Sequence, residues 1–187
     1  KSWQIAFEQP RFSGETSLSL INVWHIQTGR TDESGGLYAG VEPAALFRSD
    51  DGGNSWAEVT GLTAHPSRDR WQPGKGGLCL HSMVLDPTNV NRMWVGISAA
   101  GVFGTSDGGV TWETLNTGVR ADFLPERYPE FGQCVHKMLA HPARPETLVQ
   151  QNHCGVYRSD SGGAEWQDIT EGLPSRFGLP LGLHPND

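Results

Sequence analysis

The chain has 187 residues, with 14 Lys and Arg against 21 Asp and Glu, a formal net charge of −7. That sign argues against a nucleic acid or an anionic membrane as partner, because neither is drawn to an acidic surface without a local basic patch, and the basic residues here are scattered. No apolar run approaches the ~18 residues needed to cross a bilayer, and no signal peptide is visible. Glycine is the outlier at 24 residues, about 13% against an average near 7%. With 12 prolines and 7 tryptophans, the composition is that of a turn-dense, aromatic-rich, all-β chain. Three cysteines argue against a complete disulfide framework and, with no leader in view, point to the cytoplasm. The start at Lys1 rather than Met leaves room for an upstream segment.

The strongest signal is an internal repeat. Ser49–Trp56 (SDDGGNSW), Thr105–Trp112 (TSDGGVTW) and Ser159–Trp166 (SDSGGAEW) share the template Ser/Thr-x-Asp-x-Gly-x-x-Trp, with Ser161 standing where the third Asp is expected. Trp56, Trp112 and Trp166 recur at intervals of 56 and 54 residues, and Ser2-Trp3 matches the tail of a further copy one period upstream.

In chain order, the first unit offers strands at Leu20–Gln27, Leu37–Val41, Ala45–Ser49 and Trp56–Val59. The second offers Leu78–Leu85, Met93–Ser98, Gly101–Thr105 and Trp112–Leu115; the third offers Gln133–Ala140, Thr147–Asn152, Gly155–Ser159 and Trp166–Ile169. Turn signals at Asp86-Pro87, His141-Pro142 and His184-Pro185 close the first strand of successive units, so Leu179–His184 reads as the start of another. Each octapeptide is the hairpin between the third and fourth strands. Asp51 and Asp107 are expected to accept hydrogen bonds from N–H groups two residues on, Gly53, Gly109 and Gly163 to provide positive φ, and Trp to anchor the returning strand. Four antiparallel strands per ~55 residues describe one blade of a β-propeller.

The octapeptides resemble Asp-boxes, or BNR repeats, and nearly the whole chain is similar to β-propellers of the sialidase-like, glycosyl-hydrolase-annotated superfamily. About 3.4 blades are present, a single partial propeller domain. Residues 1–19 end one blade, 20–60, 78–116 and 133–170 are blades, and 179–187 open a following one. A ring of six to eight blades would then be completed by the rest of a longer parent chain, the favoured reading, or by a second copy.

Lettering strands a to d from the axis outwards, the octapeptides are c–d turns on one face. The b–c turns and the long d–a connections, roughly 60–77 and 117–132, share the other, where propellers of the resembled superfamily place ligands. On that face Cys79-x-His81 and Cys134-x-His136 recur at an offset of 55, His25 lies 56 residues before His81, and His153 and Glu42 lie on b–c turns. His25, His81, His136, His153 and Glu42 are the candidate ligand contacts, and His25, His81, His136, Cys79 and Cys134 the candidate ligands of a divalent metal. The competing reading makes Cys a small buried hydrophobe and each His a partner of a neighbouring carbonyl. Arg68, Arg70, Arg120 and Arg127 share the loops and can grip a carboxylate, or be loop solvation. Asp122, Glu126 and Glu130, with Tyr128, are the candidate acid/base and nucleophile set if the chain acts on glycosides. The Arg-Ile-Pro-like motif implied by a true sialidase is absent. Composition and resemblance together give a module binding a glycan, peptide or metal on the axial face, with a glycoside hydrolase as the alternative, and a carbohydrate or small molecule as the expected ligand.

Overall fold

The computed structural model describes residues 8–13, 16–184 and 186. The upstream Ser2-Trp3 match and Pro185 of the last turn signal lie outside them. Three four-stranded antiparallel sheets follow one another in strict chain order. The first comprises β1 (Asn22–Thr28), β2 (Leu37–Glu42), β3 (Ala45–Ser49) and β4 (Ala57–Glu58). The second comprises β5 (Leu80–Leu85), β6 (Met93–Ile97), β7 (Gly101–Thr105) and β8 (Glu113–Thr114); the third comprises β9 (Val135–His141), β10 (Arg144–Asn152), β11 (Gly155–Ser159) and β12 (Gln167–Asp168). Innermost strands β1, β5 and β9 adjoin one another, and the two-residue β4, β8 and β12 lie outermost. These are blades of a β-propeller.

Three expectations need adjusting. The outer strands pair over two residues rather than four. The first connection is not wholly irregular: it holds a helical turn, α1 (Thr60–Thr63), that buries Leu62, and a 3-10 turn at Arg68–Arg70. Leu179–His184 forms no strand, since no ladder partner lies beside it among the described residues. Neither helical segment is long enough to cross a membrane.

The octapeptide turns are built as expected in outline but not in reach. Ser49 Oγ donates to Asp51 Oδ1 (2.8 Å) and accepts the Gly53 N–H (2.9 Å). Asp51 then accepts from four residues on, not two: from Ser55 N–H at 2.9 Å and from Ser55 Oγ at 2.7 Å. Thr105, Asp107, Gly109 and Thr111 repeat the pattern with matching distances of 2.8, 3.0, 2.9 and 2.6 Å. In the third copy the Ser161 hydroxyl replaces the carboxylate and accepts the Glu165 N–H at 3.1 Å. Gly53, Gly109 and Gly163 adopt φ of 90°, 94° and 92°, where a Cβ would be strained.

Two of the three octapeptide tryptophans reach the preceding blade. Trp112 (6% exposed) joins a core holding Tyr38, Leu46 and Leu62 of the first blade, and Trp166 (3% exposed) joins one holding Val84, Trp94 and Val102 of the second. Trp166 also donates Nε1–H to the Leu115 carbonyl (2.9 Å) and its own N–H to the Thr117 carbonyl (2.9 Å). Trp56, half-buried, packs against the cluster of Ala39, Val41, Ala45 and Phe47. Close approach of blades requires glycine at two equivalent places: a Cβ on Gly61 would lie 2.2 Å from the Gly109 carbonyl oxygen, and one on Gly118 2.3 Å from that of Trp166. Polar clamps reinforce the seams. The buried Arg30 donates to the carbonyls of Asp86 (2.8 Å) and Arg92 (2.9 Å), while Arg92 pairs with Asp86 and reaches Glu146 of the third blade.

Two predictions follow from these seams and turns. Gly61→Ala and Gly118→Ala each force backbone apart and are expected to cost about 1–3 kcal/mol, read as a lower urea midpoint with an unchanged slope. The carboxylates supply the second. Hydrogen bonds from Ser55 and Thr111 hold Asp51 and Asp107 down at about 2. Burial alone would raise Asp86, but bonds from Thr88 and Arg92 bring it below the usual carboxylate range. Folded values below the unfolded ones mean that this stabilisation is present above the unfolded value near 3.9 and disappears as pH falls towards 2. The urea midpoint should therefore drop steeply between about pH 4 and pH 2, and Asp107→Asn should flatten that slope.

Candidate functional site

The three blades present equivalent positions to the axis, and the structure gives each a different environment. In the second blade, Ser98 donates its N–H to the Cys79 carbonyl (2.9 Å); in the third, His153 does the same to Cys134 (3.0 Å). The b–c turn thus lies over the start of the inner strand in both. The turn has three residues in the second blade, Ser98–Ala100, and two in the third, His153–Cys154.

His81 is committed to architecture. Its Nε2–H donates to the Val135 carbonyl of the next blade (2.9 Å), and its Nδ1 accepts from Ser82 Oγ (3.0 Å), which itself accepts the Met138 N–H (3.1 Å). Burial lowers its pKa against the opposing pull of the Val135 carbonyl, which keeps the ring neutral in this network. Cys79 lies close to Glu42, and its thiol donates to the Gly76 carbonyl (3.2 Å). Burial first, then the Glu42 charge, push that thiol up to about 12. Glu42 accepts from Trp24 Nε1 (3.0 Å) and Asn22 Nδ2 (3.2 Å), bonds that hold its carboxyl below the usual range. His25 lies 3.4 Å from the Gln27 side chain and does not join the other histidines.

The third blade is where the candidates converge. One ligand atom each of Cys134, His136 and His153 lies within 4.8 Å of the other two. The rings of His136 and His153 meet edge to face at 5.6 Å, and Phe177 closes a triangle with them at 5.0 and 5.1 Å. Phe123 abuts the other side of His153 at 5.2 Å. Phe177 is held over the site by its neighbours: Gln151 Nε2 donates to the Arg176 carbonyl (3.0 Å) and His136 Nδ1 to that of Gly178 (2.5 Å). Burial would raise the Cys134 thiol, but His136 and Ser98 bring it down; burial would lower His136, but Cys134 and the Gly178 carbonyl raise it. Each shift runs in the direction expected of a thiol and an imidazole that interact with one another. His153 is lowered by burial and then by the neighbouring His136.

The loop residues form a looser border. Asp122, Glu126, Tyr128 and Glu130 are exposed; Asp122 pairs with Arg127 (3.1 Å), and Glu130 accepts from Thr114 (3.4 Å). All four loop arginines are engaged: Arg68 stacks on Trp71, Arg70 on Phe131, Arg127 on Tyr128, and Arg120 binds the Cys154 carbonyl, Tyr157 and Asp168. A cleft of about 230 Å3 lies on the opposite face, between the second and third octapeptide turns, lined by Arg92, Trp94 and Glu146. Sequence reasoning missed Phe123 and Phe177. Both lie in irregular segments outside the repeat, where no period marks them.

No family model matches the chain. It is 29% identical over 87 residues to the oligoxyloglucan-reducing end-specific xyloglucanase of Emericella nidulans, an alignment covering 46% of this chain and 9% of that protein. Among solved structures it is similar to an ancestral GH74 enzyme (TM-score 0.56, 20% identity, 80% of this chain and 18% of that one). It is also similar to the GH74 enzyme of Niastella koreensis (TM-score 0.50, 18% identity, 82% of this chain and 23% of that one). The likeness is one of fold. The chain spans less than a quarter of each of these proteins.

Because His81 fastens blade to blade, His81→Ala orphans the Val135 carbonyl and should cost about 1–3 kcal/mol in stability. A thermal or urea melt reads it. His25→Ala, which removes a contact to the Gln27 side chain rather than a bond between blades, should change stability by no more than about 0.5 kcal/mol.

Proposed function

We propose that this chain is a propeller module that binds a glycan on its axial face, with Phe123, His153 and Phe177 as the platform. The observation that carries the reading is the edge-to-face run of Phe123, His153, His136 and Phe177, in which Phe123 and Phe177 stay 47% and 51% exposed. Half-exposed aromatic rings clustered at one spot are costly in water and mark a place where a partner's apolar surface is received. A sugar ring offers C–H faces to such rings and hydroxyls to polar neighbours, which here are Asp122, Arg127 and the His153 nitrogens. The similarity to a xyloglucanase supports glycan as the ligand class and xyloglucan oligosaccharides as the first to try. The octapeptide turns fit the Asp-box pattern and act in this reading as folding elements, away from the ligand. Val23, Trp24 and Ile26, apolar yet exposed on β1, support an adjoining blade, supplied by a longer chain or by a second copy.

A glycoside hydrolase is the second reading, favoured by the same xyloglucanase similarity and by Asp122, Glu126 and Glu130, exposed carboxylates of the connection that also bears Phe123. Hydrolysis needs two carboxyls roughly 5–9.5 Å apart across the scissile bond, and the pairing of Asp122 with Arg127 speaks against its use as the acid.

Calorimetric titration with a panel of xyloglucan and other oligosaccharides tests the binding reading. The joint substitution of Phe123→Ala and Phe177→Ala should weaken binding at least about tenfold, or about 1.4 kcal/mol. Undiminished affinity in that variant, or no binding by the wild-type chain, overturns it. Release of reducing sugar, lost in Glu126→Gln or Glu130→Gln, would instead favour the hydrolase.

A further inference from the structure

The geometry points to a zinc site made by Cys134, His136 and His153, with its fourth position open towards the axial face. This goes beyond the glycan reading and does not depend on it.

The donor set is the first argument. One thiolate sulfur and two imidazole nitrogens are ligands that zinc prefers, and three protein ligands with a free position is the arrangement of zinc sites that bind an exogenous group. Tetrahedral zinc with Zn–S about 2.3 Å and Zn–N about 2.0–2.1 Å holds its ligand atoms roughly 3.5 Å apart. The present separations, all within 4.8 Å, exceed that by about 1.3 Å at most.

Orientation is the second. His136 donates its Nδ1–H to the Gly178 carbonyl at 2.5 Å, which leaves Nε2 as the ring's lone-pair atom. A carbonyl fixing the far nitrogen is what metal-binding histidines ordinarily have. The backbone bond from His153 to the Cys134 carbonyl ties the other two ligands to each other. Phe177 packs against both imidazoles and Phe123 against that of His153.

The repeat supplies the third argument, and it is independent of the other two. The second blade builds the same strand start and the same turn-to-strand bond with Ser98 where the third has His153. The fold therefore does not need an imidazole there. In the second blade the matching Cys79 is a thiol bonded to Gly76, and the matching His81 has both nitrogens engaged. Among the described residues, such a set is found where the repeat departs from itself.

Chelator-treated protein titrated with Co2+ and then Zn2+ tests this, recorded with no sugar present. One equivalent of Co2+ per chain should bind, with a thiolate-to-cobalt charge-transfer band that Zn2+ abolishes. Cys134→Ser should remove the band. Loss of an outer-shell partner alone costs about 10–100-fold in affinity, so His153→Ser, which installs the residue the second blade carries, should cost more than that. Circular dichroism of both variants should be unchanged, and Cys79→Ser should bind as the wild type does. Absence of the band in the wild type, or its loss in Cys79→Ser, would sink the proposal. So would a His153→Ser variant that binds cobalt as tightly as the parent.

Discussion

Each blade of this protein is a thin sheet that is apolar on both sides, and only another blade can cover those sides. In the second blade every residue of β6 and β7 is buried, and the covering atoms come from the neighbours: Tyr38, Leu46 and Leu62 on one side, Val135, Met138 and Leu148 on the other. A lone four-stranded sheet of this size has no inside. The second and third octapeptide turns matter because each delivers a large indole, Trp112 or Trp166, into the seam with the blade before it, and a fully buried aromatic side chain is worth about 1.5–3 kcal/mol. Gly61 and Gly118 let the backbones approach closely enough for that to happen.

The polar groups in the seams do a different job. Arg30 satisfies carbonyls of the turn that follows β5, Asp86 caps that turn through Thr88 and Asn89, and Arg92 continues the chain of contacts to Glu146. Near the axis, His81 and Ser82 bind the backbone of β9. Hydrogen bonds have angular requirements that apolar contact lacks, so these groups set the angle between blades while the tryptophans and aliphatic residues provide the cohesion.

Against that uniform scaffold, the third blade stands apart at its axial end. The Cys-x-His motif at the start of the inner strand occurs twice, yet it forms an architectural contact in the second blade and an accessible cluster in the third. The cause is local. Glu42 lies beside Cys79 and disfavours its thiolate, whereas Cys134 faces His136, which favours it. The third blade also replaces Ser98 by His153 and shortens the turn by one residue. At the position of Gly40 and Gly96 in the other blades it carries Gln151, whose amide holds the segment bearing Phe177 in place.

The sequence by itself determined the blade: period, strand order, the box turns, and which tryptophans anchor them. It could do so because those features are local, set by hydrogen bonds within eight residues and by alternation along single strands. It placed His25, His81, His136, His153 and the two Cys-x-His pairs on one face for the same reason. Only the tertiary structure decided which of them meet. His81 is claimed by a carbonyl 54 residues away, His136 by one 42 residues away, and Phe123 and Phe177 reach the cluster from connections with no period. Contacts between segments that far apart depend on how blades pack and how loops fold back over them, and strand alternation carries no record of either.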